Sequence, residues 1–312
     1  MVKLKINIKT GIEKFIIMIL KIVVLSFLFI FVAMYFKQTD TINKKEVTIS
    51  SNDIKYYMDI ADSNSKPLKQ LNWKEIAAVE DVVNSKFDTY NKDLSSNIAN
   101  GFYDNNGNLK DLKVVMQDLN LSDNDIIKAY EILEQLNRES YSLRTLKIGK
   151  NNSKDDFIAS LKEGSIEDYK EYGILPSISI AQAILESSWG ESELASQYNN
   201  YYGIKADKSW TGAVAKFSTG ENYNDKIVAN FRVYNSPAES IADFCEFLKN
   251  NKRYRENGVF GAGNYREQAA ALQKAGYSTA KDENGNLIYA DMLIDIIKEN
   301  NLMVIDAEAQ RQ

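Results

Sequence analysis

The longest apolar run of the chain lies near its N-terminus, where the residues from Phe15 to Phe36 are apolar except for Lys21 and Ser26. As a helix, this run would be roughly 33 Å long, which is enough to cross the hydrocarbon core of a bilayer. Lys21 lies about two turns inside the run and can extend its ammonium group to the near headgroups. The pattern therefore predicts a transmembrane helix.

Basic residues before this run set its expected orientation. Four lysines and a single acidic residue, Glu13, precede it, which predicts a cytoplasmic N-terminus with the rest of the chain outside the cytoplasm. A cleaved signal peptide is the alternative, but Ala33-Met34-Tyr35 offers no small-x-small cleavage site. We therefore expect residues 1–37 to form a cytoplasmic tip and an uncleaved anchor, and residues 38–55 to form a polar linker.

Helical periodicity characterises residues 56–149, for which the sequence indicates no activity. Three helices are predicted in this region, over 71–83, 111–119 and 122–136. The first should bury one stripe, made by Ile76, Val79 and Val83. In the third, the inward positions are expected to be Ile126, Ile127, Tyr130, Leu133 and Leu136. Glu75 and Glu80 lie in runs of charged residues and are expected to be solvated.

Residues 150–305 alternate between helical and strand-like patterns. Helices are expected to begin near Ser153 and Ser165, and the segment from Trp210 to Tyr234 alternates like a small hairpin with its tip near Gly220. Three more helices should follow, over 237–248, 266–274 and 291–299, and residues 306–312 should be a tail. This order predicts a mainly α protein with a lysozyme-like α+β domain that carries a small β lobe.

One predicted helix of this region carries the candidate chemistry. Pro176 and Ser177 are typical of its start and Gly190 of its end, and the residues between are apolar or small on nearly every side, as in a buried helix. Glu186 nevertheless stands in the last turn, beside Trp189. Burial and the negative end of the helix dipole would both raise the pKa of this carboxyl, so that it keeps its proton near neutral pH. The alternative is a glutamate that reaches solvent from a frayed helix end.

Composition excludes several classes of mechanism. The chain has no histidine, which excludes Ser-His-Asp and Cys-His catalysis and His-ligated zinc. The single cysteine, Cys245, excludes an intramolecular disulfide and lies at helical spacing among apolar residues, as in a core. The net charge of −5 argues against a nucleic-acid partner. We expect no cofactor and no metal, so carboxylates, hydroxyls, amides and aromatic rings remain for catalysis.

Separated motifs in the C-terminal half resemble glycoside hydrolase family 73, the bacterial endo-β-N-acetylglucosaminidases. The matching stretches are Ala181 to Gly190 (the active-site helix), Asn199 to Lys205, Phe231 to Tyr234 with Ser240-Ile241, and Gly276 to Thr279. The resemblance covers roughly residues 150–303, and neither the predicted anchor nor residues 56–149. The sequence departs from the family pattern at Ser188, where glycine is usual, and in an extra loop over 281–287.

The resemblance implies hydrolysis of the β-1,4 bond after N-acetylglucosamine in peptidoglycan, with Glu186 as general acid. Glycosidases generally need a second group that acts as base, nucleophile or charge stabiliser. In this family it is an acidic residue of the β lobe, which matches Glu221 here, with Asp225 as the second choice. Tyr277 is expected to orient a water molecule or the acetamido group of the substrate. Sequence spacing gives no distance between carboxylates, so inverting, retaining and acetamido-assisted routes all stay open.

Four further residues are expected to contact the substrate, by amide hydrogen bonds or by stacking on sugar rings: Asn200, Tyr202, Trp210 and Trp189. The expected partners are peptidoglycan glycan strands and, through the anchor, a bacterial cell membrane, with the catalytic domain facing the wall. Two alternatives remain open. One is a muramidase or lytic transglycosylase on the same fold, and the other is a non-catalytic scaffold that holds wall glycan.

Overall fold

Helices dominate the computed structural model, which describes residues 49–84, 90–148, 152–221 and 225–312. In chain order, the N-terminal elements are α1 (Ser51–Asn64), α2 (Trp73–Asn84), α3 (Lys92–Gly101), α4 (Leu112–Asp118), α5 (Asp123–Ile148) and α6 (Asn152–Tyr172). They are followed by α7 (Pro176–Ser187), α8 (Glu193–Tyr198), β1 (Val214–Glu221), β2 (Asp225–Arg232), α9 (Pro237–Asn250) and α10 (Lys252–Glu256). A 3-10 turn (Val259–Gly261) precedes α11 (Tyr265–Lys274), α12 (Tyr289–Glu299) and α13 (Met303–Ala309). This mainly helical architecture with one two-stranded sheet confirms the predicted fold class at that level.

The predicted helices of the N-terminal region exist, but part of their predicted burial is wrong. Ile127 and Tyr130 are 58% and 44% exposed, and Val83 is 41% exposed. Helix α5 instead buries Ala129, Ile132 and Leu136, which lie three and four residues apart on one stripe. The stripe is rotated from the expected one because it is the face that packs against α2.

Glu75 and Glu80 correct a second expectation, since both are buried rather than solvated. Glu75 accepts two hydrogen bonds from the guanidinium of Arg311, at 2.6 and 2.5 Å. Burial raises the pKa of Glu80, and a hydrogen bond from Ser95 opposes that effect. A run of charged residues in the sequence predicts solvent exposure. The burial of Glu75 follows from tertiary packing, which brings Arg311 from the far end of the chain against it.

Helix α6 is continuous over the stretch where two helices were expected. Gly164, directly before the expected second start at Ser165, lies where two helices pack together. A Cβ atom built at Gly164 would lie 3.5 Å from Ala238 and from Ile241 of α9. Helices α6 and α9 thus approach closely at this residue, and the chain remains helical through it.

The N-terminal helices and the last helices belong to one compact unit over residues 49–312. Asp62 of α1 accepts hydrogen bonds from the hydroxyl of Tyr265 (2.7 Å) and from Nε of Arg266 (2.8 Å) in α11. The backbone N–H of Gln70 donates to the side chain of Gln310 at 2.7 Å. Residues 306–312, expected as a tail, therefore include the end of a packed helix.

Residues 1–48 lie outside the described residues, and so does the predicted anchor over 15–36. Among the helices that the structure describes, none has the length and apolar character needed to span a bilayer.

The predicted hairpin is present as β1–β2. Its strands pair antiparallel from Val214 opposite Arg232 to Glu221 opposite Asp225. The loop after α8 adds to its outer edge, since Ala206 N–H donates to Asn230 at 2.8 Å and Arg232 N–H donates to Ile204 at 3.0 Å. These bonds fix the base of the hairpin beside the C-terminal end of α7.

Candidate active site

Helix α7 is buried over nearly its whole length and ends abruptly after Ser187. Ser188, Trp189 and Gly190 follow with φ values of +52°, +63° and +78°. Three left-handed residues in a row turn the chain sharply away from the helix axis. A Cβ atom at Gly190 would lie 2.7 Å from the ring of Phe157, so this turn is packed against α6. The turn leaves Glu186, in the last helical turn, on an open side of the core.

A chain of hydrogen bonds holds the carboxyl of Glu186. Gln182, one turn earlier on the same face of α7, donates from Nε2 to the hydroxyl oxygen of Tyr289 at 2.8 Å. Tyr289, the first residue of α12, donates in turn to Oε1 of Glu186 at 3.3 Å. Surrounding protein raises the pKa of Glu186 although solvent reaches its side chain, and the bond from Tyr289 lowers the pKa by a smaller amount. This environment agrees with the expectation that Glu186 is a weak acid.

Tyr277 lies beside this pair. Its ring stacks on the ring of Tyr289, with centroids 5.2 Å apart and planes inclined by 24°. Burial raises the pKa of the Tyr277 hydroxyl, and the nearby Glu186 charge raises it further. Tyr277 therefore lies near the candidate acid, as expected, and its raised pKa favours the protonated hydroxyl.

Glu186 and Tyr277 line a cavity of about 520 Å³. Its wall also includes Tyr202, Gly203, Ile204, Lys205, Asp207, Arg232, Phe244, Phe247, Arg253, Tyr254 and Ser278. A second cavity, of about 470 Å³, shares Asp207, Arg232 and Phe247 with the first and continues to Trp210. Together they form a groove that extends from Glu186 past Arg232 to Trp210, along the base of the hairpin.

Of the residues expected to contact substrate, Tyr202 lines the groove and Asn200 does not. Tyr202 lines the first cavity. Its ring stacks on Phe244 at a centroid distance of 4.0 Å, and its hydroxyl donates to the carbonyl of Ser179 at 3.2 Å. Asn200 is buried, and its amide donates to the carbonyls of Ile204 (3.0 Å) and Arg232 (2.8 Å). The amide of Asn200 thus connects the loop to β2 and does not line the groove.

The two tryptophans that were expected to contact substrate also lie in different places. Trp210 lines the second cavity, with the guanidinium of Arg232 at 4.7 Å from its ring centroid. Trp189 points toward α6, where it contacts Phe157 edge-on and carries the ammonium of Lys154 at 4.3 Å from its ring centroid. The expected neighbour of Glu186 is thus replaced by Tyr289, and Trp189 lies outside the lining of both cavities.

Glu221 ends β1 and pairs with Asp225, which begins β2, at the tip of the hairpin. Both candidates for the second acidic group therefore lie at the far end of a two-stranded arm whose base borders the groove. Their catalytic roles stay predictions.

Sequence reasoning missed Tyr289, Gln182 and Arg253. Gln182 stands four residues before Glu186 in a helix, so helical spacing alone would have placed it on the same face. For Tyr289, the sequence indicates at most the start of a helix, because its approach to Glu186 depends on how α12 packs against α7.

Within the described ranges, no group of three or more His, Cys, Asp or Glu side chains forms a candidate metal site.

Residues 162–302 match the profile of the glucosaminidase family, described as mannosyl-glycoprotein endo-beta-N-acetylglucosaminidase. By this match, residues 162–302 are similar to the glucosaminidase family, which agrees with the expected glycoside hydrolase class. The matched segment contains the Glu186 helix, the hairpin, Tyr277 and Tyr289.

Named relatives share the glucosaminidase segment. The exo-glucosaminidase LytG of Bacillus subtilis (strain 168) is 41% identical over 154 residues, which cover 47% of this chain and 51% of LytG. The peptidoglycan hydrolase FlgJ of Salmonella typhimurium is 35% identical over 155 residues, covering 47% of this chain and 46% of FlgJ. The solved glycoside hydrolase domain of that FlgJ is 33% identical with a TM-score of 0.39, covering 48% of this chain and 89% of the domain. The chain spans about half the length of the curated relatives it matches.

Proposed function

We propose that this protein is a peptidoglycan hydrolase that cleaves the β-1,4 bond after N-acetylglucosamine, with Glu186 as general acid. The observation that carries the proposal is the carboxyl of Glu186, whose pKa is raised and which faces a groove beside two tyrosine hydroxyls. A general acid is most effective when its pKa is close to the working pH, because it must hold a proton and still release it. The similarity of residues 162–302 to the glucosaminidase family supports the reaction class.

Tyr289 gives the acid a stable conjugate base. When Glu186 transfers its proton to the leaving oxygen, the new carboxylate accepts the hydrogen bond from Tyr289, whose hydroxyl is oriented by Gln182. A bond that strengthens as charge develops lowers the barrier rather than merely improving substrate binding. Glu221, carried by the hairpin, is proposed as the second acidic group, and Tyr277 as the hydroxyl that orients water or the acetamido group.

The shape of the groove supports internal cleavage of a glycan strand. The two cavities share a wall and extend from Glu186 past Arg232 to Trp210, so sugars can bind well beyond the cleaved bond. The description of the matching family also names endo cleavage. We therefore propose endo cleavage, in contrast to the exo cleavage named for LytG.

The experiment is a digest of purified peptidoglycan with residues 38–312, followed by borohydride reduction and mass spectrometry. N-acetylglucosaminitol ends on long fragments early in the digest are expected. Terminal N-acetylglucosamine released alone would contradict endo cleavage. Glu186→Gln, which keeps the size of the side chain, should fold normally and lose nearly all activity, and Glu193→Gln on the exposed helix α8 serves as the matched control.

A muramidase is the second candidate function, since the probable N-acetylmuramidase of Lactococcus lactis is 35% identical over 159 residues. The same digest decides between them. N-acetylmuramitol ends would show a muramidase, and anhydromuramyl ends would show a lytic transglycosylase. Binding to walls without any product would favour a non-catalytic scaffold.

The location is also a proposal. The basic flank and apolar run of residues 1–37 support a single anchor in a bacterial membrane, with the hydrolase on the side that faces the wall. Full-length protein should sediment with membranes after a carbonate wash, and residues 38–312 alone should not. Sedimentation of both forms would contradict the single anchor.

A further inference from the structure

One cation in the wall of the groove is unused by the mechanism above. Arg253, in the short helix α10, lines the same cavity as Glu186 and Tyr277, and its side chain is exposed to solvent. Lys205 and Arg232 line the cavity as well, so its wall carries three cations against two carboxylates, Glu186 and Asp207.

The charge of Arg232 is balanced within the protein. Its NH1 donates to Asp243 at 2.6 Å, and its NH2 lies 3.7 Å from Asp207. Among the described residues, Arg253 forms no ion pair within 4.0 Å. Arg253 is therefore a cation of the groove wall whose charge has no acidic partner among the described residues.

The guanidinium of Arg253 is held in place before any ligand arrives. NH1 donates to the carbonyl of Gly276 at 3.3 Å, and NH2 donates to the hydroxyl of Tyr254 at 2.5 Å. A guanidinium has five N–H donors in a fixed plane, so donors remain for a ligand in the groove. Gly276 directly precedes Tyr277, which places the guanidinium next to the candidate reaction centre.

We propose that Arg253 binds a carboxylate carried by the glycan substrate, and thereby selects a glycan with acidic substituents over a neutral one. The proposal rests on the proposed function. The planar fork of arginine matches the two oxygens of a carboxylate, and charge-assisted hydrogen bonds of this kind are the stronger ones. Peptidoglycan bears carboxylates on the peptide substituents of alternate sugars, whereas chitin-like glycans bear none.

The test compares two forms of one substrate. Peptidoglycan is treated with carbodiimide and ethanolamine, which converts its carboxylates to neutral amides, and a mock-treated batch keeps them. Full-length protein in mild detergent is assayed on both by the release of new reducing ends. We expect the wild type to lose on the order of ten- to a hundredfold in kcat/KM on the neutral form, the range for hydrogen bonds to charged groups.

Three variants make the test specific. Arg253→Gln should cut both forms at the same low rate, and Arg253→Lys, which keeps the charge without the fork, should show an intermediate preference. Arg255→Gln is the matched control, since Arg255 is exposed on the same helix and lies outside the groove lining. Melting temperatures of all variants establish that each is folded.

The outcomes separate the two proposals. Equal wild-type rates on both forms, or an equal loss for Arg253→Gln on both, would overturn the role of Arg253 while leaving the hydrolase intact. If no form of the wall is cut, the proposed function fails. In that case the role of Arg253 is tested by binding: the Glu186→Gln protein, with and without Arg253→Gln, is co-sedimented with each form of the wall. The Arg253→Gln substitution should weaken binding to mock-treated walls.

Discussion

Asp306 accepts two hydrogen bonds from Ser177, one from its backbone N–H at 2.8 Å and one from its hydroxyl at 2.5 Å. Ser177 lies in the first turn of α7, the helix whose last turn carries Glu186. A carboxyl at this end of a helix satisfies an N–H group that has no partner within the helix. Asp306 belongs to α13, beyond the segment that matches the glucosaminidase family.

The first prediction concerns the pH dependence of stability. Burial raises the pKa of Asp306 from 3.8 to about 7, so the native state binds a proton that the unfolded chain has lost between these values. The free energy of unfolding should therefore decrease as the pH rises from about 4 to about 7. Asp306→Asn keeps one of the two acceptor oxygens, has no carboxyl to titrate and should lack this part of the slope. Urea titrations at several pH values measure it, and identical slopes for the two proteins would refute the assignment.

The ion pair between Glu75 and Arg311 should be strongly coupled. Arg311→Met leaves the carboxylate of Glu75 buried without its partner, which should lower the free energy of unfolding by about 3–5 kcal/mol. Glu75→Gln combined with Arg311→Met should recover a large part of that loss. Chemical denaturation of the single and double variants gives the coupling. A loss below about 0.5 kcal/mol for Arg311→Met would show that the pair is not closed in solution.

Tyr289→Phe tests the hydrogen bond to Glu186 through the pH profile of hydrolysis. That bond lowers the pKa of Glu186, so its removal should raise the pKa and move the alkaline limb of kcat/KM to higher pH. The maximal rate should fall on the order of tenfold, because a hydrogen bond to a developing charge contributes about 1.5 kcal/mol. Tyr56→Phe, whose hydroxyl contacts Ser95 in the N-terminal region, is the control. A shift of the limb to lower pH would contradict the assigned direction.

Two glycines should respond oppositely to alanine. Gly164 has room for a Cβ atom at ordinary contact distance, so Gly164→Ala should stabilise helix α6 by about 0.5–1 kcal/mol. Gly190 has φ +78° and its Cβ would meet Phe157 at 2.7 Å, so Gly190→Ala should destabilise the protein and displace the turn after Glu186. Thermal unfolding compares them, and activity should fall only for Gly190→Ala. Equal effects of the two substitutions would show that the turn does not require glycine.

Local patterns predicted the elements whose signals are local. The start at Pro176 and the stop at Gly190 bracket α7, and the N-cap Ser236 starts α9 as expected. The alternation of apolar and polar residues over 214–232 predicted the hairpin. In each case the cause of the structure, a cap, a proline or a period of two, is contained in neighbouring residues.

What the sequence did not reveal depends on distant parts of the chain. Tyr289 reaches Glu186 across 103 positions, and Arg311 reaches Glu75 across 236. Such pairs form only after helices pack, and a single sequence contains no sign of which helices will meet. The exposed Ile127 has the same origin, since apolar periodicity shows which face is apolar without showing which neighbour covers it.

The last helix bears on how this protein can be dissected or transplanted. A fragment cut at the family boundaries, 162 and 302, would carry Glu186, Tyr277 and Tyr289 but would lack Asp306 and hence the acceptor for the first turn of the acid helix. It would also lack Asp62 of α1, which accepts hydrogen bonds from Tyr265 and Arg266. Chimeras that borrow this hydrolase should therefore take the chain from Ile49 through Gln312, and a fusion partner belongs after Gln312 on a spacer that leaves Arg311 in contact with Glu75.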